Sequence, residues 1–120
     1  MNLAISNIAW TSEEDAAAYE LLSNFGVRAL EIAPARLFQN PALASEEEVE
    51  KALEPIRAAG LSIVAFQAIL FGKPELTVFE TKDVRLALID YLGGLAKTAA
   101  ACGARPLVFG APKNRCVPAG

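Results

Sequence analysis

The sequence predicts an α/β fold in which short parallel strands alternate with helices. Two observations carry that expectation. Helical stretches end at Gly26, Gly60 and Gly103, and each time an apolar segment follows at once. The segments NLAISNIA (2–9), VRALEI (27–32) and LSIVAF (61–66) are short and mostly apolar, which fits strands buried on both faces. Alternation at this spacing marks βαβ units with right-handed crossovers. Four strands and three helices are expected, the fourth strand being Leu107–Phe109, after Pro106.

The elements follow in order. After the first strand, Thr11 can cap a helix while Glu14 reaches back to close a capping box. Apolar residues recur at Ala17, Leu21, Leu22 and Phe25 with helical spacing, and Gly26 supplies the left-handed residue that ends the helix. The second strand, Val27–Ile32, leads into a loop from Ala33 to Ala44 marked by Pro34 and Pro41. Ser45 and Glu48 repeat the capping box. The helix they open carries Val49, Leu53 and Ile56 on one face, and Pro55 within it predicts a kink. The third strand, Leu61–Phe66, is followed by a long loop from Gln67 to Glu80. Thr81 then caps a helix running to about Cys102. Gly93-Gly94 interrupts it at a cost of roughly 1 kcal/mol per glycine relative to alanine, and permits close approach to a sheet.

Composition narrows the function classes. The chain has 120 residues, 53% of them apolar and 21% charged, which suits one domain with a sizeable core. The net charge is −3, and Lys and Arg are scattered singly except near Lys113 and Arg115, so no nucleic-acid-tracking face is expected. There is no histidine, and Cys102 and Cys116 match no zinc or redox spacing; both are read as reduced thiols, Cys102 buried and Cys116 in a polar tail. The apolar run Leu3–Trp10 is short, broken by Ser6 and Asn7, and preceded by no basic stretch, unlike a signal peptide. No segment approaches the roughly 18 apolar residues of a bilayer-crossing helix. A soluble, cytoplasmic protein with no membrane partner is expected.

Two architectures fit this pattern: part of a (β/α)8 barrel, or a small open doubly wound sheet. No GxGxxG or GxxxxGK motif is present, which argues mildly against a dinucleotide-binding sheet. Periodicity alone does not choose between them.

The strand ends carry a resemblance. Ala29-Leu30-Glu31-Ile32-Ala33-Pro34, Ala65-Phe66-Gln67-Ala68-Ile69-Leu70-Phe71-Gly72 and Val108-Phe109-Gly110-Ala111-Pro112-Lys113-Asn114-Arg115 stand in order along the chain. Together they resemble the second, third and fourth strand ends of sugar phosphate isomerases/epimerases of the xylose-isomerase-like TIM-barrel superfamily. Ala111 stands where that resemblance expects serine. The resemblance implies half of a TIM (β/α)8 barrel with its site at the C-terminal strand ends. It also implies a divalent metal in the full-length family, held mostly by residues of later strands. On this expectation residues 1–120 form a single, truncated N-terminal half-barrel that binds no metal and is inactive alone.

In a barrel, groups at the C-terminal strand ends face substrate. Glu31 is the candidate catalytic residue, since a carboxylate in an apolar strand is costly to bury unpaired; its alternative is an ion pair with Arg28 or Arg36. The candidate contacts to a sugar or sugar phosphate are Asn7, Trp10, Gln67, Lys113, Asn114 and Arg115. Gln67 offers an amide to hydroxyls, Trp10 a ring face, and Lys113 and Arg115 cations for a phosphate. Glu46-Glu47-Glu48 is better explained as a helix N-terminus than as a metal cluster. The competing expectation is a non-enzymatic half-barrel that forms homo-oligomers through exposed strand edges. A repair endonuclease of the same superfamily fits poorly, given the acidic balance and the absence of histidine.

Overall fold

A computed structural model describes residues 2–119. It is an α/β structure. Three strands, β1 (Ala4–Ser6), β2 (Ala29–Ile32) and β3 (Ser62–Phe66), pair in parallel in the order β1-β2-β3. Three helices follow them in turn: α1 (Asp15–Asn24), α2 (Glu46–Ala58) and α3 (Lys82–Ala101).

The expected fourth strand does not form as a strand. Leu107 makes a single parallel bridge with Phe66, supported by Phe66 N–H on the Pro106 carbonyl (3.0 Å) and Val108 N–H on the Phe66 carbonyl (2.8 Å). Pro106 has no N–H to extend the ladder, and Gly110 and Pro112 turn the chain away. The bridge still places this segment beside β3, so the spatial order along the sheet follows the sequence order.

The first strand is also shorter than expected, because Asn7–Ala9 winds into a 3-10 turn. Ser12–Glu14 is a 3-10 turn ahead of α1, with the Glu14 carboxylate accepting from Thr11 N (2.9 Å). The capping box of α2 is reciprocal: Ser45 N to Glu48 Oε2 (2.8 Å) and Glu48 N to Ser45 Oγ (3.2 Å). That backbone bond holds the Glu48 carboxyl below its usual range. Each α-helix ends in the same device. Val27, Leu61 and Ala104 donate back to the carbonyls of Leu22, Ile56 and Ala99 (2.9, 3.0 and 2.9 Å), across glycines at φ +76°, +73° and +86°.

One core lies between the helices and the sheet. It joins Leu30 and Ile32 of β2 and Ile63 and Phe66 of β3 to Tyr19, Leu53 and Leu95 from the three helices. Val49, Leu53 and Ile56 of α2 are all buried, as their spacing predicts. The predicted core face of α1 is observed only in part: Leu22 packs against the core, but Tyr19 is the buried residue of the helix, while Ala17, Leu21 and Phe25 are exposed. Tyr19 wins because Trp10 packs edge-on against it, ring centres 6.3 Å apart. Helix α2 runs through Pro55 to Ala58, with Pro55 on its exposed side. Gly94 does permit a close approach, but to the Pro41–Leu43 turn rather than to the sheet. Among the described residues no helix is long and apolar enough to cross a membrane.

Candidate functional site

Polar groups gather at the C-terminal ends of the three strands. Ser6 and Glu31 are register partners, so their side chains share a face of the sheet. Glu31 in turn partners Ala65. Between Leu30 and Glu31 the register of β2 against β3 shifts: Leu30 partners Ile63, but Glu31 partners Ala65. Val64 is therefore an extra residue in β3, a bulge. A one-residue slip reverses which face each later side chain meets. Phe66 consequently lies opposite Ile32 in the core, and Gln67 turns to the face of Ser6 and Glu31. The Gln67 side-chain amide donates to Ser6 Oγ, reaching over β2 from the third strand to the first. Its backbone N–H donates to the Ile32 carbonyl (2.8 Å).

Glu31 is half-buried. Among the described residues it pairs with neither arginine weighed for it. Arg28 is engaged by the Ser23 carbonyl (3.0 Å) and hydroxyl (3.1 Å). Arg36 pairs with Asp15 (3.1 Å) and donates to the carbonyls of Asn7 and Trp10. The carboxylate at the strand ends is thus left for water or a ligand.

The other expected contacts divide. Asn7 is only 1% exposed; its Oδ1 accepts from Ala33 N (2.8 Å), tying the end of β1 to the end of β2. It straps the two strand ends together, and among the described residues its buried Nδ2 has no partner. Trp10 donates from Nε1 to Asp15 Oδ1 (2.7 Å), so its indole is fixed on the α1 side beside Tyr19 and Arg36. Burial there pushes the Tyr19 hydroxyl up to about 12, with the Asp15 charge adding to the rise and Arg36 opposing it. Asn114 is buried and spends both amide hydrogens on the carbonyls of Lys73 and Leu76, each at 2.7 Å. It pins the long loop after β3. Lys113 and Arg115, on either side, are exposed.

A groove of about 290 Å³ opens beside Gln67, walled by Ala68, Phe71, Val108 and Gly110. Ala68 stands at φ +51°, a left-handed conformation that a Cβ disfavours by roughly 1–2 kcal/mol. Such strain persists only where the surroundings hold it, and it clusters at binding sites. A larger groove, about 610 Å³, lies between α1 and α2 around Tyr19, Arg36 and Lys51. Its Arg36 is already paired with Asp15, while the strand-end groove lies against Gln67, the residue that reaches Ser6 on the face shared with Glu31.

Sequence reasoning missed Ser6, which it treated as a break in an apolar run, and the Asp15–Arg36 pair. One signal was available for the bulge: buried Ile63 and Phe66 are an odd number of residues apart, which a regular strand cannot place on one face. Nothing in the sequence marks Ala68.

Against known protein families and against curated proteins, the chain matches none.

Proposed function

We propose that these residues are the N-terminal strands of a parallel α/β barrel and form the substrate-holding side of a sugar or sugar-phosphate isomerase/epimerase. The Gln67–Ser6 hydrogen bond carries this reading. In a closed barrel, inward side chains from alternate strands meet over the strand between them. The spatial order supports the same choice: a doubly wound sheet would send its fourth strand to the far side of β1, whereas Leu107 bridges to β3.

The chemistry follows from the groups present. Isomerisation moves a proton next to a carbonyl, which needs a base and a cationic partner for the enediolate. Glu31 can accept a hydrogen bond from a sugar hydroxyl or hold the proton in transit, and Gln67 can orient a second hydroxyl. Lys113 and Arg115, exposed after Asn114, supply cations for a phosphate. The divalent metal of the family does not fit this donor set: Glu31 is the one carboxylate in the strand-end segments 6–7, 31–33, 66–68 and 107–111, and the chain has no histidine. Among the described residues no three His, Cys, Asp or Glu side chains gather. No catalytic step is therefore routed through a metal, and the 120 residues are expected to bind sugar phosphate without interconverting it.

Amide chemical-shift mapping with a pentose or hexose phosphate tests this. Shifts should concentrate at Ser6, Glu31, Gln67 and Lys113, and Glu31→Gln with Gln67→Ala should abolish them. Shifts confined to the α1–α2 groove, or none at millimolar ligand, would refute the reading.

A second reading has its own observation. Among the described residues one edge of β1 is unpaired, and β3 carries a single bridge on its outer edge. Such edges recruit other strands, so a non-enzymatic assembly module would be favoured if ligand mapping fails and edge amides prove protected from exchange.

A further inference from the structure

Helix α3 carries an apolar face that no described residue covers. Leu86 and Ile89 are 48% and 61% exposed. Gly93, Ala96 and Ala100 continue the same stripe at spacings of three and four, and all three are exposed. The opposite side of the helix is spent on the core, through Leu88, Leu95, Thr98 and Ala99. The stripe is graded. Its N-terminal half is bulky and its C-terminal half is small. Along one flank stand two exposed charges of opposite sign, Asp90 and Lys97.

We propose that this face is the self-association surface of the protein, joining two copies of α3 antiparallel about a two-fold axis at Gly93. The grading selects the direction. Only with the helices reversed do Leu86 and Ile89 of one copy meet Ala100 and Ala96 of the other. The charges select it again. The same reversal sets Asp90 of each copy beside Lys97 of the other, twice by symmetry, as a two-fold interface requires. A parallel pairing about a two-fold axis along the helices would put the two charged flanks on opposite sides of the interface, so neither Asp90 nor Lys97 would meet its opposite. Gly93, at the crossing point, has nothing within 4 Å of where a Cβ would sit, so the backbones can approach closely there. The proposal concerns the chain as it stands and differs from edge-to-edge strand pairing in the surface it uses.

One helix face is a small interface, so the dimer should be weak and concentration-dependent. Sedimentation velocity from about 10 μM to about 1 mM, a range that spans weak association, should show the average mass rising from monomer towards dimer. Asp90→Lys and Lys97→Asp each place like charges together in the homodimer and should weaken it about tenfold. Mixing the two variants restores opposite charges at both contacts, and the mixture should dimerise like the wild type. Gly93→Leu should abolish association while leaving the circular dichroism of the monomer intact. A wild type that stays monomeric throughout overturns the proposal, as does a mixture no more associated than its components. A dimer indifferent to all three substitutions would use another surface, such as the strand edges, and would overturn it equally.

Discussion

Gly93 and Gly94 are neighbours in one helix with opposite surroundings, and alanine at each should move stability in opposite directions. At both positions alanine removes the backbone freedom that glycine brings to the unfolded chain, worth about 1 kcal/mol in favour of the helix. At Gly93 nothing lies within 4 Å of the new methyl, so the gain is kept. At Gly94 the methyl would sit 3.1 Å from Ala42 Cβ and 3.2 Å from its carbonyl carbon, and closer still to its carbonyl oxygen. That obstacle is backbone of the Pro41–Leu43 turn, not a side chain that can swing aside. Forcing a methyl into filled space costs about 1–3 kcal/mol, and the displaced turn holds buried Pro41. The net expectation is about +1 kcal/mol for Gly93→Ala and about 0 to −2 kcal/mol for Gly94→Ala. Urea denaturation at a single low protein concentration, where association plays no part, measures both. Equal effects for the two variants would refute the packing of α3 on the turn.

Three further outcomes follow from the same geometry. Asn114→Ala leaves the carbonyls of Lys73 and Leu76 without their donor and should cost about 2–3 kcal/mol, with faster amide exchange confined to the loop between Gln67 and Glu80. Ala68→Gly should stabilise the fold by about 0.5–1 kcal/mol by relieving the left-handed strain, an effect that vanishes if φ there is negative. The exposed Cys116 thiol should react with a disulfide reagent at once, and the buried Cys102 thiol only as the protein opens. Burial raises Cys102 from 9 to about 11, so the folded state holds that proton more tightly than the unfolded chain. The stability this confers is complete below pH 9 and is lost as pH rises to about 11. Cys102→Ala should flatten the decline over that interval, which alkaline denaturation curves will show.

The helices were the most legible part of the chain because their signals are local. Ser45 with Glu48, Thr81, and the three terminal glycines act within a few residues of themselves, and each cap is where its residue type places it. Helix α1 shows where local reading fails. Leu21 and Phe25 have the spacing of a core face, yet Tyr19 is buried instead, because the partner that decides it, Trp10, arrives from the preceding turn. The last strand failed for a related reason. Three apolar residues after Pro106 propose a strand, but a parallel strand exists only through its ladder, and a proline with the turn at Gly110 leaves room for one bridge. Among the site residues, Glu31 and Gln67 were chosen for their places at strand ends. Asn114 looked equally available but spends its amide on backbone carbonyls, as Asn side chains in turns commonly do, while Asn7 spends only its oxygen on the backbone.

The extra residue Val64 ties the fold to the site more tightly than any single side chain at the mouth. In an uninterrupted pairing Glu31 would stand opposite Val64, and Phe66 two residues on would share its face. A phenylalanine would then fill the polar mouth, and the Gln67 amide would be driven among Ile32, Leu30 and Ile63, where an unpaired polar group costs at least 1 kcal/mol. With the bulge, Phe66 completes the core at 0% exposure and Gln67 reaches Ser6. Core closure and the gathering of Ser6, Glu31 and Gln67 on one face are thus two results of one irregularity.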